Sequence, residues 1–247
     1  MVRVNINGIE FNAADGEPSD FDYFIEGKVK ANDTGVMGMV EEMKAFIRVQ
    51  DKMKLRSLVD VGALFGVFSL VFTRYPDAVA MAIEPSRPAN YGLLDNASLN
   101  FPDRHICVNG YFCAEHTGDR VPCGKDWKHI VAHTFLDRPE PETVTGTAID
   151  DIEVITVDCM KIDVEGFECP VLRGARKTIE RFRPVIFLEA HLQSLTPAGE
   201  TPEGLYALLT GMGYKVCMLD DTPLPSFDGY SHARVICYPI FVLNKKV

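Results

Sequence analysis

In "VRVNINGIEF" apolar and polar positions alternate: Val2, Val4 and Ile6 precede Asn7-Gly8, and Ile9 and Phe11 follow it. A period of two on either side of Asn-Gly predicts a β-hairpin. Further on, Val36, Met39, Val40, Met43, Phe46 and Ile47 recur at helical spacing behind the capping candidates Asn32, Asp33 and Thr34. That pattern predicts a helix over about residues 35–50. From Ser57 onward the rhythm changes, and short apolar runs alternate with amphipathic stretches. "SLVDVG", "AVAMAIEP", "HICVNGYFCA", "VDCMKIDV", "PVIFLEAH" and "YKVCML" read as strands. Gly66 to Arg74, "ANYGLLDNASLN", "CPVLRGARKTIERF" and "PEGLYALLTGMG" read as helices, and "TAIDDI" as one helical turn. Near-continuous apolar strands alternating with helices imply a parallel sheet covered on both faces. The loop "DDTPLPSFDGYSH" is too short for a packed helix, so the closing strand, "ARVICYPIFVLN", is expected antiparallel to its predecessor. The segment from Glu115 to Val144 has no regular period. The division expected is a cap of hairpin, loop and helix over 1–50 and a single sheet domain over 51–247.

In an open α/β sheet, ligands lie beyond the carboxyl ends of the strands. The first strand–helix turn, "DVGALFG", places Asp60, Gly62, Ala63 and Gly66 there. Glycine lets a backbone approach a ligand closely, and Asp60 can accept from a ligand ammonium. Glu84, followed by Pro85, ends the next strand, where a carboxylate can accept both hydroxyls of a ribose. Asn109, at the end of the third strand, joins this cofactor set. A nicotinamide dinucleotide prefers Gly-x-Gly-x-x-Gly, because its pyrophosphate rests on the helix N-terminus. Here Leu64 and Phe65 fill the interval. That suits S-adenosylmethionine, which has a ribose diol, an ammonium and a sulfonium but no pyrophosphate.

A second group stands at the end of "VDCMKIDVEG", where Lys161, Asp163 and Glu165 alternate along one side of a strand. The next strand brings Glu189 and His191 to the same edge. Acids at a strand end are costly unless they are paired or act on something. The bland alternative is a Lys161–carboxylate ion pair with helix-capping acids. A divalent metal on Asp163, Glu165, Glu189 and His191 is chemically compatible but not favoured, and no residue is assigned as a metal ligand.

Composition narrows the partners. Hydrophobic residues make up 47%, enough for a full core, and the formal net charge is −10. Such a chain lacks the positive field that would draw nucleic acid or an anionic membrane. The basic helix "RGARKTIERFR" reads as a solvated face. No run reaches the roughly 18 apolar residues of a membrane span, and no signal peptide is evident. Seven cysteines with no Cys-x-x-Cys read as reduced thiols of a cytoplasmic protein. Cys113, His116, Cys123, His129 and His133 have passable zinc spacings but irregular gaps, so structural zinc is not favoured. Phe21, Tyr23 and Phe24 anchor the N-terminal segment or stack on an acceptor.

Taken together, these stretches resemble the FkbM-type S-adenosylmethionine-dependent methyltransferases. That family's first motif, Asp-x-Gly-Ala-Asn-x-Gly, stands here as "DVGALFG", and its Glu-Pro as Glu84-Pro85. Its Leu-x-x-Asn-x-x-x-Asn appears as "LLDNASLN", with Asn96 and Asn100, and its most specific stretch as "KIDVEGFECPVLRGA". "RPVIFLEAH" and "LLTGMGYKV" also look like family segments, so the similarity covers about residues 57–243. Leu64 departs from the family's Asn. The resemblance implies a Rossmann-like, class I methyltransferase fold: a mostly parallel seven-stranded sheet with an antiparallel last strand. It also implies O-methylation of a small hydroxylated acceptor (a sugar, a glycolipid or a polyketide-like product), with a homodimer left open. Asp60, Gly62, Ala63, Gly66, Glu84, Pro85, Asn109, Asp163 and Glu165 would hold the cofactor. Lys161, Asp163 and His191 would serve catalysis, the general base being His191 or Asp163. The competing readings are an NAD-dependent oxidoreductase and a non-catalytic cofactor-binding protein.

Overall fold

A computed structural model of the chain describes residues 2–6, 8–13, 34–100, 106–122, 143–195 and 199–240. Phe21, Tyr23, Phe24, Cys123, His129 and His133 lie outside them. Strands β1 (Val2–Ile6) and β2 (Ile9–Ala13) pair as the expected hairpin, with Ile6 opposite Ile9. Helix α1 (Thr34–Met53) follows. It runs past residue 50, so the expected domain boundary falls inside it.

The main sheet has seven strands: β3 (Ser57–Val61), β4 (Val79–Ile83), β5 (Ile106–Asn109), β9 (Cys159–Ile162), β10 (Val185–Ala190), β11 (Tyr214–Met218) and β12 (Ala233–Pro239). Their order is β11-β12-β10-β9-β3-β4-β5. β12 runs antiparallel to both neighbours, and the other pairs are parallel, as the patterning requires. The order reverses beside β3, so the first strand–helix turn sits at the topological switch.

Three readings are refined. "HICVNGYFCA" is not one strand: β5 stops at Asn109, whose carbonyl takes the Glu84 amide at 2.9 Å, and the chain then leaves the sheet. Phe112–Cys113 (β6), Arg120–Pro122 (β7) and Thr143–Thr147 (β8) form a separate three-stranded sheet at the margins of the segment read as irregular. "CPVLRGARKTIERF" is two helices, α4 (Glu168–Gly174) and α5 (Arg176–Phe182). The turn "TAIDDI" is a 3₁₀ turn at Ile149–Asp151. Helix α6 (Pro202–Gly211) begins with Pro202 behind Thr201, whose hydroxyl accepts the Gly204 amide at 3.0 Å, a standard N-cap.

Each face of the sheet has its own core. On one, Phe46 of α1 meets Phe187 of β10 and Phe68 of α2 (Val67–Phe72) edge-to-face, with ring centroids 5.0 and 5.1 Å apart. Ile6 and Phe11 of the hairpin are buried in the same cluster. On the other face, Leu172, Ile179, Leu205 and Leu209 of α4–α6 cover Val59, Met160, Ile162 and Leu188. Helix α3 (Arg87–Asn100) packs on β5 and on β2 of the hairpin, and its Leu93 clusters with Ala82 of β4. Its family asparagines have visible work: Asn96 donates to Phe65 O at 3.1 Å, fixing the glycine turn. Asn100 exchanges two hydrogen bonds of 2.6 Å with the Asn12 backbone, fixing the hairpin. No helix among the described residues is long and apolar enough to cross a membrane.

Candidate active site

Sheet register assembles the site. Val61 pairs with Ile83 and Ile162, and Ile162 with Leu188. The next rank beyond these residues is therefore Glu84, Gly62, Asp163 and Glu189, and Glu189 pairs with Arg234. Adjacent strands lie about 4.8 Å apart, so side chains far apart in sequence share one carboxyl rim. Asp60 and Lys161 stand side by side two residues below that rim.

The turn after β3 is strained by necessity. Gly62 has φ +79°, and a Cβ there would sit 1.8 Å from the Asp163 carbonyl oxygen. Gly66 has φ +84°, and its Cβ would meet Leu93 at 2.7 Å. Leu64 is also left-handed, at φ +48°. Asparagine tolerates that region better than leucine, which accounts for the residue the family places there. The amides of Gly62 and Ala63 both reach Ile83 O, and the Gly66 amide reaches Ala63 O.

Glu84 is pinned by two amides, Leu64 N–H on Oε2 at 2.9 Å and Ser86 N–H on Oε1 at 2.7 Å. Each oxygen keeps a further acceptor position. Burial pushes the carboxyl up to about 7, against the pull of those amides. Asp60 is only 1% exposed, and its Oδ2 takes the Ser69 hydroxyl at 2.7 Å. Burial lifts it to about 6, with Ser69 and Lys161 opposing. Its carboxylate thus ties α2 to β3; the structure does not turn it outward as the sequence suggests. Pro85 and Ala63 flank Glu84 and Gly62, and Asn109 supports the rim through its carbonyl, its side chain making only a 3.6 Å contact to Cys107 Sγ.

Lys161 is a buried cation among acids. Its Nζ stands 3.2 Å from Glu42 Oε1, 3.6 Å from Asp163 Oδ2 and 3.8 Å from Glu189 Oε2, with the Phe68 ring 5.0 Å away. Burial would discharge it, but these carboxylates outweigh that and hold it above the ordinary lysine range. The Glu42 contact lacks hydrogen-bond alignment, so it acts as an ion pair. Glu42, 1% exposed, is itself raised by burial despite Lys161, and its other oxygen takes Arg234 Nε at 3.2 Å.

Asp163 keeps 30% of its side chain accessible. Burial raises its carboxyl well above the usual range, Lys161 pulls it back, and Glu189 pushes it further up. His191 Nδ1 lies 3.1 Å from Glu168 Oε1 and 3.9 Å from Asp163 Oδ1, while Nε2 lies 3.4 Å from Glu165 Oε2. Burial works to discharge the imidazole, but Glu168, Asp163 and Glu165 prevail and hold it at about 9. Glu165 has φ +54°, a left-handed conformation imposed by the tight exit from β9. Burial would raise Glu189, yet His232, Lys161 and Arg234 bring it below the ordinary range.

Asp163, Glu165, Glu189, His191 and Lys161 therefore converge, as the spacing suggests. Four members of the network have no counterpart in the sequence reading: Glu42, Glu168, His232 and Arg234. One of them left a readable trace. Glu42 lies on the stripe that Phe46 and Val49 continue at i+4 and i+7, an acid in a core position.

The profile of the methyltransferase FkbM domain matches residues 60–216. Among solved structures, the chain is similar to methyltransferase FkbM from Methylobacillus flagellatus KT: 20% identity, TM-score 0.46, covering 84% of this chain and 55% of that one. It thus spans little more than half of that protein. It is also similar to precorrin-6y C5,15-methyltransferase from Geobacter metallireducens GS-15, with 16% identity, TM-score 0.42, and coverage of 80% and 89%. A TehB-like SAM-dependent methyltransferase from Corynebacterium glutamicum gives 12% identity, TM-score 0.44, and coverage of 79% and 88%. A search of curated proteins returns no match. With the profile spanning both the glycine turn and the acidic rim, the chain belongs to the FkbM methyltransferase family.

Proposed function

We propose that the protein transfers a methyl group from S-adenosylmethionine to a hydroxyl oxygen of a small acceptor: a sugar, a glycolipid or a polyketide-like product. The observation that carries the cofactor reading is the turn around Gly62. Its amides at Gly62, Ala63, Leu64 and Gly66 are all engaged inside the protein. A pyrophosphate needs such amides free and directed at it, and α2 is only six residues long. A ribose diol needs instead a fixed carboxylate with acceptor capacity left, which Glu84 supplies. The fit therefore favours S-adenosylmethionine over NAD.

When bound, that cofactor supplies an electrophilic methyl on a sulfonium. The backbone of the Gly62–Gly66 turn would lie against it, Glu84 would orient its ribose, and the acidic rim of Asp163 and Glu165 would stabilise its positive charge. An alcohol attacks well only when its proton has somewhere to go. Asp163 is the base in this reading. It is accessible, stands two residues beyond Lys161 on the same side, and has Lys161 Nζ 3.6 Å from its Oδ2. His191, held at about 9, is cationic at neutral pH and serves as the charged partner of Asp163. The unpaired thiols Cys107, Cys113, Cys159, Cys169, Cys217 and Cys237 support a cytoplasmic location.

Calorimetric titration tests the cofactor: S-adenosylmethionine binds and NAD does not. Transfer of labelled methyl to a panel of hydroxylated acceptors tests the reaction. Binding of NAD in preference, or labelling of nitrogen only, would remove the proposal.

The Glu84 shift gives a pH signature. The ionised carboxylate accepts the diol, and the protonated one loses an acceptor. Cofactor affinity is therefore flat above about pH 7 and falls below it, towards tenfold per pH unit, with proton uptake by the free protein near that pH. The sign for folding is consistent: the folded pKa is raised from 4.5 to about 7, so the stability contributed by the protonated acid is lost as pH rises through that window. Titrations from pH 5.5 to 8.5 (roughly one and a half units either side) check both, and an affinity rising towards low pH would contradict the role.

A further inference from the structure

Neither cofactor binding nor proton transfer accounts for His232. It stands just before β12, with Nε2 2.8 Å from Glu189 Oε1 and its ring edge-on to His191 at 5.1 Å. His191 Nε2 lies 3.8 Å from the same Glu189 oxygen and 3.4 Å from Glu165 Oε2. The other nitrogen of His191 is turned away, towards Glu168 Oε1 at 3.1 Å. Glu168 is fully buried, and its Oε2 has no hydrogen-bond partner. A buried carboxylate thus fixes the orientation of an imidazole whose free nitrogen faces two further carboxylates.

We propose that Glu189, His191 and His232 form a binding site for one divalent transition-metal ion of the zinc class, with Glu165 and Asp163 beside it to complete the coordination. Tetrahedral ligands at about 2.0–2.2 Å from an ion lie about 3.4 Å apart. Here the Glu189, His191 and His232 ligand atoms all lie within 4.8 Å of one another, and so do those of Asp163, Glu165 and His191. The separations of 2.8, 3.4 and 3.8 Å bracket the required one, so small side-chain movements close the shell. Two imidazoles with carboxylates select zinc-like ions over magnesium or calcium, which prefer all-oxygen shells. Glu168 is in the position of the outer carboxylate that metal-bound histidines characteristically have.

The local charge is also right for a dication. Among the described residues, Glu42, Asp163, Glu165, Glu168 and Glu189 face Lys161 and Arg234 as permanent cations. Arg234 shares Glu189 Oε1 with His232, and Lys161 Nζ stands 3.8 Å from Oε2. The ion takes the place of the hydrogen between His232 and Glu189 and leaves Arg234 where it is. Its binding does not depend on the methyl-transfer reading. Only its consequence does: a dication there takes over the positive charge that His191 otherwise places beside Asp163.

The test is titration of the metal-stripped full chain with zinc by calorimetry, and with cobalt by its visible absorption. The expected result is one saturable site per chain with micromolar or tighter affinity and a cobalt spectrum of nitrogen–oxygen coordination. His232→Gln, at a position 36% exposed and so compatible with folding, should weaken it at least tenfold. Glu168→Gln should weaken it by about 10- to 100-fold through the outer shell. Absence of saturable binding at millimolar zinc overturns the site, as does binding that His232→Gln and His191→Ala both leave intact. A parallel S-adenosylmethionine titration separates failures: cofactor binding without metal removes this inference alone, and metal binding without cofactor removes the methyltransferase reading alone.

Discussion

Replacing Asp163 with asparagine is expected to lower methyl-transfer turnover by about 100- to 10,000-fold, the range a positioned general base contributes. The substitution keeps the shape of the rim and removes the capacity to take a proton, together with the charge that faces Lys161 and His191. Dissociation of S-adenosylmethionine should change little by comparison if, as proposed, Glu84 is its chief anchor. The measurement is single-turnover transfer of labelled methyl alongside a binding titration. Turnover within tenfold of the parent would move the base elsewhere. A parallel collapse of cofactor affinity would make Asp163 a binding residue instead. Loss of Lys161 is a poorer probe, since it would remove the buried cation that Glu42, Asp163 and Glu189 share and confuse folding with chemistry.

The second large effect lies in the fold. Gly62→Ala should destabilise the protein by about 2–5 kcal/mol: about 1–2 for the left-handed backbone and about 1–3 for overpacking against the neighbouring strand. The clash is with backbone, the Asp163 carbonyl oxygen at 1.8 Å, so no side chain can rotate to relieve it. Thermal unfolding should shift down by roughly 5–15 °C in a chain of this size. Gly211→Ala serves as the control. It ends α6, its added Cβ meets nothing within 4 Å, and it should stabilise by about 0.4–1 kcal/mol. If the two variants melted alike, the close approach of β3 and β9 would be wrong.

The contrast between these sites and the rest of the network shows what a linear reading can find. Asp60, Gly62, Glu84 and Asp163 were legible because each ends an apolar run at a strand–helix seam, a local signal. The parallel sheet followed from strands alternating with helices, and the antiparallel β12 from a loop too short for a crossover helix. Glu168, His232 and Arg234 gave no such signal. Glu168 looks like an ordinary acid in a helix first turn, and His232 and Arg234 open a strand behind a polar loop. Register, which a sequence does not state, puts Arg234 opposite Glu189. Asp60 was located correctly but its direction was not, since only the packing of α2 reveals that Ser69 claims its carboxylate. The two halves of "CPVLRGARKTIERF" looked continuous because their apolar positions stay in phase across the break.

Glu42 reaches the rim from α1, a helix that begins well before the sheet. The N-terminal portion is therefore no interchangeable hood over a self-sufficient engine. Chimeras that borrow a relative's leading segment would inherit or forfeit the acid that pairs with Lys161, which in turn stands beside Asp163. Any such graft changes selectivity and electrostatics together, and a matching acid at the Glu42 position is what lets the first vary alone.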